Sequence, residues 1–240
     1  MTLAASSIRV DGAFAGGQVR RVSVPGGEIV AEVAGQGPAI LLWHGWTLDR
    51  RQWRGQAPLT DQFTLVAVDR RGFGESTAPA DLAEEPADVA RVAAALGLKR
   101  YHLVGLSQGG KVALAHAATR PFGLERLVVI GAPIDAALPV APESVPAAEM
   151  AMLAKAGKLA EMRQLWLAHP LTAGRPEVRA AMAAMLSRYD GRDLVTPGRP
   201  LNVTLDDVRR IRLPATALAG EDDTPWRRAV VDALGQAGLA

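Results

Sequence analysis

Gly105-Leu106-Ser107-Gln108-Gly109 is the stretch that most restricts how this chain can fold. It fits G-x-S-x-G. A short apolar run, residues 101–105, precedes it, and an apolar segment with helical character starts at Gln108. A serine on such a strand-to-helix turn is held in an unfavourable backbone conformation, and its hydroxyl projects beyond the end of a sheet. The flanking glycines are needed because a Cβ on either side would clash across the turn. The helix that follows aims unpaired amides at the same point, which favours developing negative charge. The plainer alternative is a glycine turn with no chemistry.

The rest of the chain supplies a sheet for that turn. Residues 19–24 and 28–33 are β-prone and flank Pro25-Gly26-Gly27, which reads as a hairpin. Residues 38–43, 63–68, 101–105 and 124–130 are short continuous apolar runs, as strands buried on both faces require. An Arg-rich stretch near 49–56 and an amphipathic stretch at 87–96, closed by Gly97, read as helices between them. Strands alternating with helices imply right-handed crossovers and a mostly parallel sheet. From 137 to 205 the alternation stops. Helical periodicity takes over at 147–156, 158–168 and 176–189, in a segment rich in Met and Ala. It reads as a helical insertion whose methionines form a core of its own or line a pocket. The alternation then resumes with a strand at 215–219 and a helix from about 225. The organisation is therefore core (1–136), helical insertion (137–205) and core again (206–240). The Gly/Ala-rich residues 1–17 are expected to be partly disordered.

Composition removes several classes of function. The chain has 240 residues and no cysteine, so disulfide scaffolds, Cys-based zinc sites and thiol nucleophiles are excluded. Its 27 basic and 25 acidic residues leave a net charge of +2, with arginines scattered in pairs, so nucleic acid is not an expected partner. No apolar stretch approaches the ~18 residues needed to span a bilayer. The N-terminus lacks the pattern of a signal peptide. The expectation is a cytoplasmic protein with no membrane partner.

His44-Gly45-Trp46 follows the apolar run 38–43. A glycine there frees the backbone, so the Trp46 amide can point at an oxyanion, and Gln108, directly after the serine, gives the second amide. His44 and Gly45 are placed beside the substrate, although the His44 ring has the alternative of bonding only to the backbone.

The set HGW at 44–46, DRRGFGES at 69–76, GLSQGG at 105–110 and GEDD at 220–223 resembles the α/β-hydrolase superfamily, nearest to small esterases, enol-lactonases and cofactor-free perhydrolases. The resemblance spans about 19–135 and 205–238. It implies the α/β-hydrolase fold and acyl transfer from a small carboxylic ester or lactone through Ser107. No metal or organic cofactor is implied. A related branch uses an aspartate nucleophile on haloalkanes and epoxides, and Ser107 stands against it. The resemblance places the triad acid at Asp223, with Asp222 as fallback and Asp135 as another known location. Asp222, Asp223 and Thr224 also form a capping cluster before Pro225.

The triad histidine is where the chain departs from the family pattern. None of the 17 residues after Asp223 is histidine, and the family's last strand and helix are also absent. His102 and His116 lie roughly 16 Å and 13 Å from Ser107 along a strand and a helix. Only His169, in the insertion, is placed to substitute. Three explanations are expected: a shortened form of a longer hydrolase, a natural chain that kept the pocket without the base, or a base from another subunit. The alternative function is a small-ligand binder that does not turn over. A sheet ending at 215–219 leaves an open edge, so a homodimer is a further expectation.

Overall fold

The apolar runs become β1 (Gln18–Val24), β2 (Gly27–Ala34), β3 (Ala39–Trp43), β4 (Thr64–Asp69), β5 (Tyr101–Leu106), β6 (Leu124–Ile130) and β7 (Ala215–Leu218). A computed structural model describes residues 12–134, 137–138 and 144–239. The strands form one sheet in the order β1-β2-β4-β3-β5-β6-β7. β1, β2 and β4 pair antiparallel, and every pairing from β4 through β3, β5 and β6 to β7 is parallel. Parallel pairing brings the carboxyl ends of β3, β5 and β6 together: Trp43 pairs with Gly105, and Gly105 with Val129. The turns that leave those ends therefore meet at one edge of the sheet.

Alternation along the strands divides the core. Leu41, Trp43, Val66, Val68, Leu103 and Val129 face one way. There they pack on α1 (Glu85–Ala95), α2 (Gln108–Ala118) and the C-terminal helix Pro225–Gln236. Leu42, Leu65 and Ala67 face the other way, onto Trp53 and Phe14. Phe14 belongs to a segment expected to be disordered. From residue 12 it is instead packed, because the Ala13 and Phe14 amides donate to the buried Glu32 carboxylate. Residues 1–11 lie outside the described residues.

Trp53 sits on a 3-10 segment, Arg50–Asp61, longer than the helix expected there. Asp49 caps it by accepting from the Arg51 amide at 2.9 Å. Two of its three arginines are buried, and Arg54 is exposed. Arg50 is buried against Glu32 (3.0 Å) and Asp69 (2.5 Å), and Arg51 against Asp49 (2.5 Å). A buried guanidinium is tolerated only when paired in this way.

The insertion holds α3 (Ala147–Lys155), α4 (Leu159–Leu167), α5 (Pro176–Leu186) and α6 (Arg192–Val195). Met150 and Met162 are fully buried with Trp166, Leu186, Tyr189 and Phe73 in a separate apolar cluster. Phe73 comes from the loop after β4, so the cluster joins the insertion to the sheet. The chain then re-enters the main core at Val203, ahead of α7 (Leu205–Arg209), which Thr204 and Asp207 close with a capping box. The C-terminal helix Pro225–Gln236 is α8. No helix among the described residues is long and apolar enough to cross a membrane.

β7 is the last strand of the sheet, and one of its edges is unpaired among the described residues. Leu218 on it is exposed, and Val128 and Ile130 beside it are only half-buried. We propose that this edge pairs with a second copy. Sedimentation across a concentration series is expected to show a dimer that Thr216→Lys disperses; a monomer at all concentrations contradicts it.

Candidate active site

The turn after β5 has the shape its sequence requires. Ser107 has φ 51° and ψ −119°, a left-handed conformation that costs a non-glycine residue of order 1–3 kcal/mol. The strain is held by close packing. A Cβ on Gly109 would lie 2.3 Å from the Trp43 carbonyl oxygen and 2.4 Å from that of His44. A Cβ on Gly105 would lie 2.4 Å from the Gly109 carbonyl oxygen. The Ser107 amide donates to the Ile130 carbonyl at 2.7 Å, which fixes the turn to β6. The hydroxyl-bearing residue stands in the wall of a cavity of about 360 Å³, beneath the insertion.

The second wall is the loop after β3. Gly45 donates its amide to Gln52 Oε1 at 2.9 Å, and its carbonyl lies 2.7 Å from His44 Nδ1. The Arg70 amide donates to His44 Nε2 at 3.0 Å, so the proton of this imidazole is on Nδ1 and is donated to Gly45. In a trans peptide the C=O and N–H point opposite ways. Tying the Gly45 carbonyl to the buried ring therefore turns the Trp46 N–H to the other side, where Gly45 and Trp46 line the cavity. Gln108 lines it too, and as the first residue of α2 its amide has no partner within the helix.

His44 itself is a correction. Its ring is fully buried, both nitrogens are bonded to main chain, and it does not line the cavity, so it is not a substrate contact. Burial, with the Arg70 charge adding to it, lowers its pKa to about 3. The structural alternative weighed for this side chain is the one observed.

Asp223 lines the cavity, and a Cβ on Gly131, just past β6, would meet its Oδ2 at 3.5 Å. Its other oxygen accepts from the Thr224 amide at 2.8 Å. The cap of α8 is not Asp223 but Thr224, whose hydroxyl accepts from the Arg227 amide. Asp222 is exposed and does not line the cavity. Asp135 lies outside the described residues.

No histidine among the described residues lines this cavity. His102 lies at the start of β5, at the opposite end of the strand from Ser107. His116 is buried between the Tyr101 hydroxyl and the Pro86 carbonyl, each at 2.8 Å. His169 stacks on Trp166 and bonds to the Ser144 carbonyl at 2.9 Å. Burial lowers the His116 pKa to about 4.

Both buried rings have folded pKa values below the unfolded value of about 6.5, so below that pH the unfolded chain takes up protons that the folded chain does not. Stability is expected to be full above pH 6.5 and to fall as pH drops from there toward 4, by about 1.4 kcal/mol per pH unit for each ring. Urea unfolding at pH 7 and pH 5 measures the loss, and His116→Gln should remove part of it.

Two basic residues in the cavity wall were not anticipated. Lys111, buried, stands four residues after Ser107, a spacing that puts both on one helix face. That signal was in the sequence. Arg227 comes from the first turn of α8 and donates to the Gly131 carbonyl. Its place depends on how α8 returns to the sheet, which no local pattern states.

The insertion closes over the site through named bonds. Trp46 Nε1 donates to Asp193 Oδ2 at 2.8 Å, and Tyr189 donates to the other Asp193 oxygen at 2.7 Å. Trp166 Nε1 donates to Thr47 Oγ1 at 2.8 Å. Arg192 donates to the carbonyls of Gly72, Gly74 and Ser76. Both indoles also line the cavity.

Known proteins resemble this chain in part of their sequence and in fold. Over 126 residues the chain is 32% identical to a fluoroacetate dehalogenase from Burkholderia sp, covering 49% of this chain and 41% of that protein. Over 103 residues it is 33% identical to a pimeloyl-[acyl-carrier protein] methyl ester esterase from Aeromonas hydrophila, covering 42% and 41%. The matches thus span about two fifths of these curated relatives. Among solved structures, the enol-lactonase from Burkholderia xenovorans LB400 superposes with a TM-score of 0.76 at 24% identity, covering 91% of this chain and 87% of that one; at that identity the likeness is one of fold. The model of the alpha/beta hydrolase family matches residues 40–240. A match over that much of the chain, on a sheet whose carboxyl edge carries the strained serine turn, makes this chain a member of the alpha/beta hydrolase family.

Proposed function

We propose that the chain is a serine hydrolase that takes a small carboxylic ester or lactone and forms an acyl-enzyme on Ser107. The observation that carries the reading is the strained Ser107 in the wall of a cavity that Trp46 and Gln108 also line. Ser107 Oγ would bond to the acyl carbon, the C–O bond of the ester would break, and the leaving oxygen would take up the proton. The two amides would receive the charge on the carbonyl oxygen. Asp223 stands where a triad acid would orient a base and stabilise its charged form, a base that no histidine among the described residues supplies. The wall built by Trp46, Leu48, Trp166, Leu171 and Met182 suits an apolar acyl or leaving group. A serine at position 107 speaks against dehalogenation, despite the dehalogenase relative.

The second reading, a small-ligand binder without turnover, is favoured by one observation: no histidine among the described residues lines the cavity. Stopped-flow assay with p-nitrophenyl acetate separates the two. The hydrolase reading expects a burst of up to one equivalent of p-nitrophenolate per chain, then slow turnover, because activated esters acylate without much help while deacylation needs a base. No burst, together with ligand-induced thermal stabilisation that Ser107→Ala leaves unchanged, selects the binder.

A further inference from the structure

Beneath the two oxyanion amides lies a charged group that the reaction itself does not use. Arg70 follows β4 and is fully buried. Its guanidinium donates to Glu85 of α1 twice, at 2.7 and 2.9 Å. The same Nη2 donates to Gln108 Oε1 at 2.9 Å, and Nη1 reaches the His44 carbonyl at 3.3 Å. Glu85 in turn accepts from Trp43 Nε1 at 3.2 Å. One side chain thus holds the end of β3, the loop that carries the Trp46 amide and the residue that carries the second amide.

We propose that Arg70, fixed by Glu85, is a positioning residue that sets the distance between the Trp46 and Gln108 amides. The inference rests on the serine-hydrolase reading above. Three features support a geometric role. Glu85 neutralises the guanidinium, so Arg70 adds little net field at the oxyanion. The His44 carbonyl that Arg70 holds is also the atom against which Gly109 packs, so loop and helix touch at that point. The main-chain amide of Arg70 fixes the His44 tautomer, and with it the direction of the Gly45–Trp46 peptide. A guanidinium can make these bonds at once because its donors are fixed in one plane; an ammonium cannot.

The test uses Gln108→Leu, Glu85→Gln and Arg70→Lys in the full chain. Gln108→Leu keeps the oxyanion amide and removes only the tie to Arg70. A fluorophosphonate probe gives separately the affinity of first binding and the rate of the bonding step. The bonding step is expected to slow about tenfold to a hundredfold in all three variants, as for a displaced oxyanion donor, with affinity unchanged. The backbone amide resonances of both Trp46 and Gln108 should shift in Glu85→Gln. Should the Arg70 and Glu85 variants fail to fold, Gln108→Leu decides alone. A labelled wild type whose folded variants react at the same rate, or lose only affinity, overturns the proposal and leaves the hydrolase reading standing. A wild type that takes no label overturns both.

Discussion

Ser107→Ala is expected to abolish every covalent adduct that a fluorophosphonate leaves on this chain. The wild type should gain one adduct, and peptide mapping should place it on Ser107. The physical reason is that Ser107 combines a strained φ of 51° with the free end of an 11-residue helix and a cavity in front of it. Removal of the nucleophile from a complete triad costs about 10⁶ in turnover, as measured for a protease. Here the readout is stoichiometric, so even a slow reaction decides the matter. Asp223→Asn gives the complementary result. In a complete triad the loss of the acid costs about 10⁴. In this chain Asp223 faces the cavity without a histidine among the described residues to orient, so its replacement should leave the labelling rate within a few-fold of wild type. A drop as large as in a full triad would reveal a base supplied from outside the described residues. An adduct that persists in Ser107→Ala would remove the nucleophile from the account.

Gly109→Ala is expected to cause a large loss of stability. Its new Cβ would meet two main-chain oxygens at 2.3 and 2.4 Å, on β3 and on the loop beyond it. No rotamer change relieves a clash with backbone. Overpacking usually costs 1–3 kcal/mol, and here the strand and helix would have to separate, so a loss of at least about 3 kcal/mol is expected. Gly235→Ala is the matched control. Gly235 lies inside α8 with open space where its Cβ would stand, so the added methyl should raise stability by about 0.5–1 kcal/mol through helix propensity. Urea midpoints for both variants check the pair, and a Gly109→Ala chain as stable as wild type would mean the turn is looser than described.

The parts of the fold legible in the sequence are those set by neighbours in the chain. The hairpin, the apolar strands and the serine turn follow from periodicity and from glycines at fixed offsets, and each appears within a few residues of its expected place. The insertion helices did as well, because amphipathic spacing is local. The buried charges were not legible. The sequence showed Arg50, Arg70 and Arg71 only as members of scattered pairs, yet each is buried against carboxylates from other elements, such as Asp69, Glu85 and Asp88. Charge in a sequence carries no sign of its partner when that partner lies on another strand or helix. His44 shows the same limit: its position beside the site was readable, but the direction of its ring depended on the Arg70 amide. Which residue of the cluster before α8 caps the helix was visible only in three dimensions, where Thr224 takes the cap and Asp223 lines the cavity.

The two tryptophans that join the insertion to the loops below it have an evolutionary corollary. Trp46 gives its main chain to one task and its indole to Asp193 overhead, and Trp166 grips the very next residue, Thr47. A cover riveted to the rim of the reaction centre cannot drift independently of it. On the serine-hydrolase reading proposed above, sequence change in the helices that reshapes the compartment for a new guest would be transmitted to the Trp46 amide. Guest selection and rate would then be inherited as one trait, and a transplant of the insertion between cousins should move both together.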